Sequence, residues 1–378
     1  MQRDTAPDVL RGFALLGILV VNIQFMGLSS EGAGGEWTQG FANGSATFLI
    51  AALFAGKFYL LFSFLFGYSS NYVIQNDRSN RARWIKRCFV LIALGALHFT
   101  FLWQGDIIFL YGLFGLLLTF FFFRTDRTLK TWTRILFSIS TFFVILVCAL
   151  AFIAEYVLNK DLPISTVSSL DEILQNGTYL ESIPARLEVW LLSISTGILL
   201  QGGLAFAAFL LGVRLARSNF LSSPIDKAAN SRLMKKGLFL GLPIQIIAAA
   251  IFLRNEQVAD PSESIYLISL SASSVAAPLL SMFYVGLIRK LVEERPHLVL
   301  WMKPAGKMSL TIYISQSVVT SLIFGPWGLG LFQELQTWQV FLLAFAIWLL
   351  LAYLAAQWLK KFHQGPLESL MSSMTRSR

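Results

Sequence analysis

The chain has 378 residues, of which 56% are hydrophobic and 13% are charged, and its mean hydropathy is +0.64. A soluble globular protein usually carries about 25% charged residues, so this composition excludes a water-exposed globule and predicts a polytopic membrane protein. The net charge of +9 could indicate nucleic acid or anionic lipid, or it could report membrane topology. The positions of the Lys and Arg residues decide between these readings.

Ten stretches are long and apolar enough to cross the hydrocarbon core of a bilayer, which takes about 20 residues. Because backbone groups in lipid must be satisfied internally, and barrel strands alternate in polarity, all ten are predicted to be helices. In chain order they are residues 8–27, 46–75, 84–103, 106–123, 135–157, 187–213, 237–253, 264–288, 307–324 and 338–359. The chain is therefore predicted to be all-α, with a single membrane domain (1–378), a small extracytoplasmic cap (158–186) and a short basic tail (360–378).

The connections between these stretches differ strongly in charge. With the N-terminus placed inside, the inner segments hold 26 of the 30 Lys and Arg residues, the outer connections hold three, and Lys57 lies within a stretch. Positive loops stay in the cytoplasm, so both termini are predicted to be cytoplasmic. This split accounts for the basic chain without nucleic acid and leaves the lipid bilayer as the expected partner.

The two cysteines, Cys88 and Cys148, fall on different predicted helices. Their positions match no disulfide framework and no metal-ligand spacing. We therefore predict neither a disulfide nor a metal site.

Polar residues inside the apolar stretches are candidates for a functional site, because they cost free energy in lipid. On the first stretch, Asp8, Arg11 and Asn22 lie within about 40° of one direction around the helix. An Asp8–Arg11 pair at the interface, with an interhelical hydrogen bond from Asn22, is the structural alternative.

Lys57 is predicted near a helix centre, where a charge costs roughly 2.5 to 3.5 kcal/mol. It should face protein or water, either in an ion pair or on an anionic substrate group.

His98 lies in the apolar stretch GALHFTFLWQGDIIFLYG, which is predicted to be a helical hairpin. Asp106 falls near the N-terminus of the second helix, where the helix dipole favours it and where it is expected to cap. Along a straight helix the two residues are about 12 Å apart, so they are not expected to touch. His98 shares its depth with Asn22, and both are predicted to converge with Lys57 on one polar pocket that opens outward, in which His98 accepts a proton. A buried histidine that only joins two helices is the alternative.

The ninth stretch, GKMSLTIYISQSVVTSLIFGPWG, carries polar side chains on one face. Ser309, Tyr313, Gln316 and Thr320 recur there at helical spacing, which indicates either a wet stripe or hydrogen-bonded helix packing. The candidate residues are thus His98, Asn22 and Lys57 for catalysis, and Arg11, Asp8, Asp106, Tyr313 and Gln316 for substrate binding.

Five segments resemble the YeiB-like family, known as domain of unknown function 418. They are DVLRGFALLGILVVNI (8–23), GKFYLLFSFLFGYS (56–69), RCFVLIALGALHFTFLWQGDIIFLYGLFG (87–115), GKMSLTIYISQS (306–317) and GPLESL (365–370). That family is distantly similar to multi-span acyltransferases, namely the acyltransferase-3 enzymes and the heparan glucosaminide N-acetyltransferase type. The resemblance implies a location in a bacterial plasma membrane. It also implies transfer of an acyl group from cytoplasmic acyl-CoA to a sugar or lipid-linked hydroxyl or amine of the envelope.

The residues of the glucosaminide enzyme are matched in part. The pattern Asp-x-x-Arg-Gly ending in Val-Asn puts Arg11 and Asn22 at matching positions, and the resemblance implies an active-site role for Asn22. The catalytic histidine of that enzyme follows the first span, whereas no histidine lies between Asn22 and His98 in this chain. A shared mechanism therefore uses His98 from another helix or dispenses with a histidine base. Acyl-CoA is expected as a co-substrate and not as a tightly bound cofactor.

Two other functions are open at the level of the sequence. One is a transporter or flippase for a small anionic or lipid-linked solute, although no inverted repeat is detected. The other is a structural or assembly protein of the envelope, in which polar residues only join helices. A nucleotide-driven pump is excluded, because the chain has no phosphate-binding loop.

Overall fold

The computed structural model describes residues 5–30, 32, 34–159 and 169–375. In this part of the chain the regular elements are all helices, with short 3₁₀ or π turns between some of them. The first eight are α1 (Thr5–Gly27), α2 (Phe41–Leu49), α3 (Lys57–Ile74), α4 (Arg81–Phe101), α5 (Ile108–Leu118), α6 (Asp126–Tyr156), α7 (Ser169–Asn176) and α8 (Tyr179–Gly197). The others are α9 (Gly203–Arg217), α10 (Lys227–Lys236), α11 (Leu242–Glu256), α12 (Glu263–Glu294), α13 (Lys303–Lys307), α14 (Ser309–Phe324), α15 (Thr337–Lys361) and α16 (Pro366–Thr375).

Eight helical segments among the described residues are long and apolar enough to cross a membrane, and α5 and α14 are shorter apolar helices. Each of the ten predicted stretches overlaps one of these segments. The outer face of α6 is covered by large exposed apolar side chains such as Ile139, Phe142 and Ile145. A face of this kind is stable against lipid and unfavourable in water. The prediction of an all-α, multi-pass membrane protein is therefore confirmed.

The second predicted stretch is broken. A π turn, Ile50–Phe54, follows α2, and the chain then passes through Gly56, whose φ of +80° lies in the left-handed region that favours glycine. The next helix, α3, begins at Lys57. The prediction of one unbroken helix over residues 46–75 was wrong, because a hydropathy pattern does not register a backbone break inside an apolar run, although Lys57 does lie near the middle of the membrane-crossing segment Phe41–Ile74.

The first helix, α1, lies in the middle of the bundle and packs on α3, α12, α13, α14 and α15. Its contact with α13 brings backbone against backbone. A Cβ atom on Gly306 would lie 1.7 Å from the carbonyl oxygen of Asp8, and one on Gly12 would lie 2.2 Å from the carbonyl oxygen of Met302. These two glycines fix the start of α1 against the segment that leads into α14.

One end of the bundle, which we call the basic end, surrounds a cavity. The charge count assigned six segments to the inner side, namely residues 1–11, 76–87, 124–134, 214–236, 289–307 and 360–378. Each of them contributes to the lining of this cavity, for example through Arg11, Arg78, Arg124, Arg217 and Lys307. The connections that the charge count placed on one side of the membrane therefore lie together around this cavity.

The opposite end, which we call the acidic end, is held together by carboxylates. Asp171 accepts hydrogen bonds from the Ser29 hydroxyl and the Ser30 N–H, both at 2.9 Å, and Glu256 accepts one from the Gly35 N–H at 3.1 Å. Of the predicted cap (158–186), residues 160–168 lie outside the described residues, and the rest includes α7 and the start of α8.

Candidate functional site

His98 lies at the centre of a buried row of three polar side chains. Its Nδ1 is 2.8 Å from Oδ2 of Asp106, and its Nε2 is 2.8 Å from Oγ of Ser317. His98 and Ser317 are each 2% exposed, and Asp106 is 5% exposed. A carboxylate, an imidazole and a hydroxyl therefore stand in series, which is the arrangement that activates a hydroxyl or amine for attack on an acyl group.

Asp106 reaches His98 because α4 ends at Phe101 and the chain reverses direction before α5. The Oδ1 atom of Asp106 accepts a hydrogen bond from the Phe109 N–H at 2.7 Å, so its predicted capping role is confirmed. Gly95, one turn before His98, makes room for this approach. A Cβ atom there would lie 2.3 Å from the Phe109 nitrogen and 2.8 Å from Oδ1 of Asp106. The expectation that His98 and Asp106 do not touch was wrong, since it extended a straight helix beyond Phe101.

The end of α4 is fixed by groups from α8. The Tyr179 hydroxyl and an Arg186 N–H both donate to the carbonyl oxygen of Phe101, at 2.6 and 3.1 Å. These bonds satisfy a backbone acceptor that the end of the helix leaves without an intrahelical partner. They hold the turn that carries Asp106.

The hydrogen-bond roles within the row follow from its chemistry. A carboxylate only accepts, so we assign the hydrogen of the neutral imidazole to Nδ1, facing Asp106. The lone pair on Nε2 then faces Ser317, whose hydroxyl donates to it. An imidazole arranged in this way can receive a proton at Nε2, and a carboxylate beside Nδ1 stabilises the imidazolium that forms.

Tyr313 lies between this row and the cavity of the basic end. Its ring centroid is 5.3 Å from that of His98, it is one helical turn before Ser317, and it contributes to the cavity lining. The other members of the predicted polar face divide between two roles. Ser309 also lines the cavity, whereas Gln316 donates to the Leu15 carbonyl oxygen at 3.2 Å and joins α14 to α1.

The cavity of the basic end has a volume of about 1720 Å³. On α3 its lining runs from Ile74 to Phe62, twelve residues that rise about 18 Å. Its floor includes Tyr111 and Tyr313. Of the residues that the structure describes, seven cationic side chains line it, namely Arg11, Arg78, Arg83, Arg87, Arg124, Arg217 and Lys307.

Within the described part of the chain, the lining includes one carboxylate, that of Glu368. It accepts hydrogen bonds from the N–H groups of Leu310 and Thr311 at the start of α14, at 2.8 and 3.2 Å. This carboxylate is therefore engaged in capping a helix, and the cavity favours an anionic ligand.

Arg11, on α1, forms hydrogen bonds with side chains of two helices, α1 and α3. It donates to Oδ1 of Asp8 at 2.5 Å, which confirms the predicted pairing, and to the hydroxyl of Ser69 on α3. Asp8 is fully buried, so the pair holds the carboxylate in place while Arg11 still reaches the cavity. Ser69 was not foreseen, because its contact depends on how α3 packs against α1.

Lys57 and Asn22 are not brought to His98. Lys57 is fully buried, and its ammonium donates to the Ala51 carbonyl oxygen at 2.7 Å and to the Ser273 hydroxyl at 3.1 Å. Asn22 is half-buried on α1 and lies outside the cavity lining. The predicted burial of Lys57 against protein is confirmed, while its neighbours belong to a different part of the bundle.

Ser317 is the residue of the row that sequence reasoning missed. It lies four residues after Tyr313 and three before Thr320, so the helical period already placed it on the same face. Nothing in the sequence indicated that Ser317 contacts His98, because the two residues are 219 positions apart in the chain.

The helices, the lipid-facing surface and the buried polar row define a multi-pass membrane protein with one candidate site between α4, α5 and α14. Residues 215–378 match the family model described as Protein of unknown function (DUF418). Over these residues the chain is similar to that family, which agrees with the resemblance that its sequence motifs indicated.

Three relatives are similar along almost their whole length. "Uncharacterized protein YxaH" of Bacillus subtilis (strain 168) is 28% identical over 402 residues, covering 99% of this chain and 94% of that protein. "Uncharacterized protein YeiB" of Escherichia coli (strain K12) is 26% identical over 404 residues, covering 99% and 97%. "Uncharacterized 39.9 kDa protein in amylase 3'region" of Bacillus acidopullulyticus is 27% identical over 386 residues, covering 100% and 95%.

Proposed function

We propose that the protein is an integral membrane acyltransferase, which moves an acyl group from acyl-CoA to a sugar or lipid-linked hydroxyl or amine of the envelope. The observation that carries this proposal is the cavity of the basic end. Arginines such as Arg78, Arg83 and Arg124 line its mouth, and Tyr313, which contacts His98, lines its floor. The excess of Lys and Arg at this end supports a cytoplasmic orientation. Relatives from Bacillus subtilis and Escherichia coli support a bacterial plasma membrane.

The shape and charge of the cavity suit the two parts of an acyl-CoA. Ligand pockets usually enclose about 300 to 1000 Å³, and this cavity of about 1720 Å³ has room for a nucleotide and an extended arm. The arginines of the mouth match phosphate groups in charge and in hydrogen-bond geometry. Phe62 and Leu65 line the deeper part, where an apolar arm would lie.

The proposed chemistry is general base catalysis by His98. As the acceptor hydroxyl or amine reacts, its proton passes to Nε2, and Asp106 stabilises the imidazolium. The carbon–sulfur bond of the thioester breaks, and the proton leaves with the thiolate as CoA thiol. Tyr313, on the cavity floor beside His98, has a hydroxyl in the region where the oxyanion would develop. Asn22 and Lys57 have no assigned part in this step.

Ligand-dependent thermal stability tests this proposal. We expect acyl-CoA to stabilise the purified, detergent-solubilised chain, by about 2.7 kcal/mol at 100 times the dissociation constant. Arg83→Gln should weaken binding about tenfold, because it removes a charge-assisted hydrogen bond from the mouth. Arg81→Gln is the matched control, since Arg81 is exposed on the same helical turn and is not part of the lining.

The decisive outcomes are distinct. Stabilisation by acyl-CoA that Arg83→Gln weakens and Arg81→Gln retains supports the cavity as the donor site. Equal effects of the two substitutions would show only non-specific attraction to positive charge. No stabilisation by CoA, acetyl-CoA, succinyl-CoA or palmitoyl-CoA would contradict the proposal.

A transporter for a small anionic or lipid-linked solute is the second candidate, and the break at Gly56 favours it. Interrupted helices line solute paths in many transporters, and Lys57 places a cation at the start of α3 directly after the break. Under this alternative Lys57→Met would abolish solute movement, and CoA species would not stabilise the protein. The acyltransferase proposal predicts the opposite result for CoA species.

A further inference from the structure

We infer that Ser317 is a nucleophile that carries the acyl group as a covalent ester during transfer. This inference rests on the proposed acyltransferase function and adds a step to it. It assigns to the site a second catalytic residue, beyond the base His98.

The hydroxyl of Ser317 contacts a histidine on another helix. Serine and threonine inside helices commonly bond back to the carbonyl oxygen four residues earlier. Thr320 does so to Gln316 at 2.9 Å, and Ser269 does so to Ile265 at 2.8 Å. Ser317 instead meets Nε2 of His98 on another helix.

Helix capping accounts for Oδ1 of Asp106 but not for the placement of Oδ2 against the histidine. A serine and a neutral histidine are sufficient to join two helices by a hydrogen bond. The buried carboxylate of Asp106 behind the histidine adds a desolvation cost of several kcal/mol. A carboxylate in this place is useful where the histidine becomes positively charged, and that happens when it removes a proton from the hydroxyl.

The proposed reaction has two halves that balance. In the first, Oγ of Ser317 attacks the thioester carbon, its proton passes to Nε2 of His98, the carbon–sulfur bond breaks, and CoA leaves as the thiol with that proton. In the second, the acceptor hydroxyl or amine attacks the ester carbon and gives its proton to Nε2. The bond from that carbon to Oγ then breaks, and Ser317 regains a proton from His98.

Ser317 lies further from the basic end than the part of α14 that lines the cavity, so an ester on it would carry the acyl group toward the other end of the bundle. The start of α14, at Ser309, lines the cavity of the basic end, and Ser317 lies eight residues, or about 12 Å, further along this helix. The helix ends at Phe324, whose carbonyl oxygen accepts the Phe332 N–H of the next connection. An ester on Ser317 would hold the acyl group beyond Tyr313, on the way to the acidic end. Donor and acceptor could then react at the same residue from different sides.

Covalent labelling without an acceptor tests the inference. The full-length chain in detergent is incubated with acetyl-, succinyl- or palmitoyl-CoA carrying a radiolabel in the acyl group, and CoA thiol release is measured in parallel. We expect up to about one label per chain, on the peptide that contains Ser317, removable by hydroxylamine as an ester is. The released thiol should match the label in amount.

Substituted variants identify the residue that carries the acyl label. Ser317→Ala should reduce labelling to background, and Ser317→Cys should retain it as a thioester, because a cysteine is also a nucleophile. Ser281→Ala is the matched control, since Ser281 is a buried intramembrane serine that donates to the Lys57 carbonyl oxygen at 3.0 Å, away from the row. It should keep the label.

The possible failures separate the two proposals. If acyl-CoA stabilises the protein but leaves no label on Ser317, the covalent step is overturned and direct transfer stays in place. A label that persists in Ser317→Ala at another residue overturns it equally. If there is neither stabilisation nor label, both the inference and the proposed function fail.

Discussion

Two buried polar clusters lie inside the bundle, and they differ in charge and in surroundings. The His98 cluster (Asp106, His98 and Ser317) holds an acid, a base and a hydroxyl, and Tyr313 links it to a large cavity. The Lys57 cluster (Ala51, Lys57, Gln245 and Ser273) holds a cation among neutral groups. Among the described residues, no carboxylate lies within ion-pair distance of Lys57.

The difference shows that an ionisable residue in the membrane does not by itself mark a site. Lys57 donates to the carbonyl oxygen of Ala51 in the last turn before the break at Gly56, and the Ser281 hydroxyl donates to the carbonyl oxygen of Lys57 just after it. These bonds satisfy backbone groups that an interrupted helix leaves open. The Lys57 cluster is therefore suited to holding the break together, whereas the His98 cluster is suited to moving a proton.

Replacement of the central histidine should give the largest effect. His98→Ala is expected to lower acyl-CoA-dependent CoA release by about 10²- to 10⁴-fold, because the general base is lost, while the protein still inserts into the membrane. His297→Ala, at an exposed histidine of the 3₁₀ turn Pro296–Leu298, should have no effect. Rates are measured per amount of monodisperse protein. If His98→Ala does not accumulate in the membrane, the histidine is a packing residue.

The second-largest effect is expected in the free energy of unfolding, which should differ between variants of the His98 cluster and of the Lys57 cluster. Asp106→Ala is expected to lower the free energy of unfolding by about 3 to 5 kcal/mol, because it breaks a buried pair with His98 and removes a helix cap. Lys57→Met should cost less, about 1 to 3 kcal/mol, because it leaves the buried carbonyl oxygen of Ala51 without its donor but also removes a buried cation that has no acidic partner among the described residues. Denaturant unfolding in one detergent gives both values. Equal losses in both variants would remove the distinction drawn between the clusters.

Glycine substitutions should give the smallest of the three effects. Gly95→Ala is expected to cost about 1 to 3 kcal/mol, because its methyl group would overlap Asp106 and the start of α5. Gly197→Ala is the control, since a Cβ atom there meets nothing within 4 Å, and it should be neutral or stabilising by up to about 1 kcal/mol. Thermal unfolding of the two variants side by side measures this. Similar behaviour would mean that α5 can shift away without losing its contact with α4.

The helices and the contacts between near neighbours were predictable from the sequence. Long apolar runs must be helical in lipid, so hydropathy found the membrane segments. Asp8 and Arg11 are three residues apart, and a helix brings such residues together whatever surrounds it. The grouping of the basic connections at one end was likewise predictable from their charges.

Contacts that depend on where a helix stops were not predictable. The pairing of His98 with Asp106 needs α4 to end at Phe101, and that end is fixed by Tyr179 and Arg186 from α8. The contact between Ser317 and His98 needs the packing of α14 on α4, for which two short polar side chains give no periodic signal. The break at Gly56 lies inside an apolar run, where hydropathy is uniform on both sides.

The backbone contact between α1 and α13 has a consequence for finding distant members of this protein group. At Gly12 and Gly306 even one added methyl group would collide with a carbonyl oxygen, so steric demand sets these positions independently of any reaction. Relatives that have changed their chemistry would still require glycine at both places, provided they keep the fold. A search pattern built on this pair would therefore reach homologues that a pattern built on histidine, aspartate and serine would pass over.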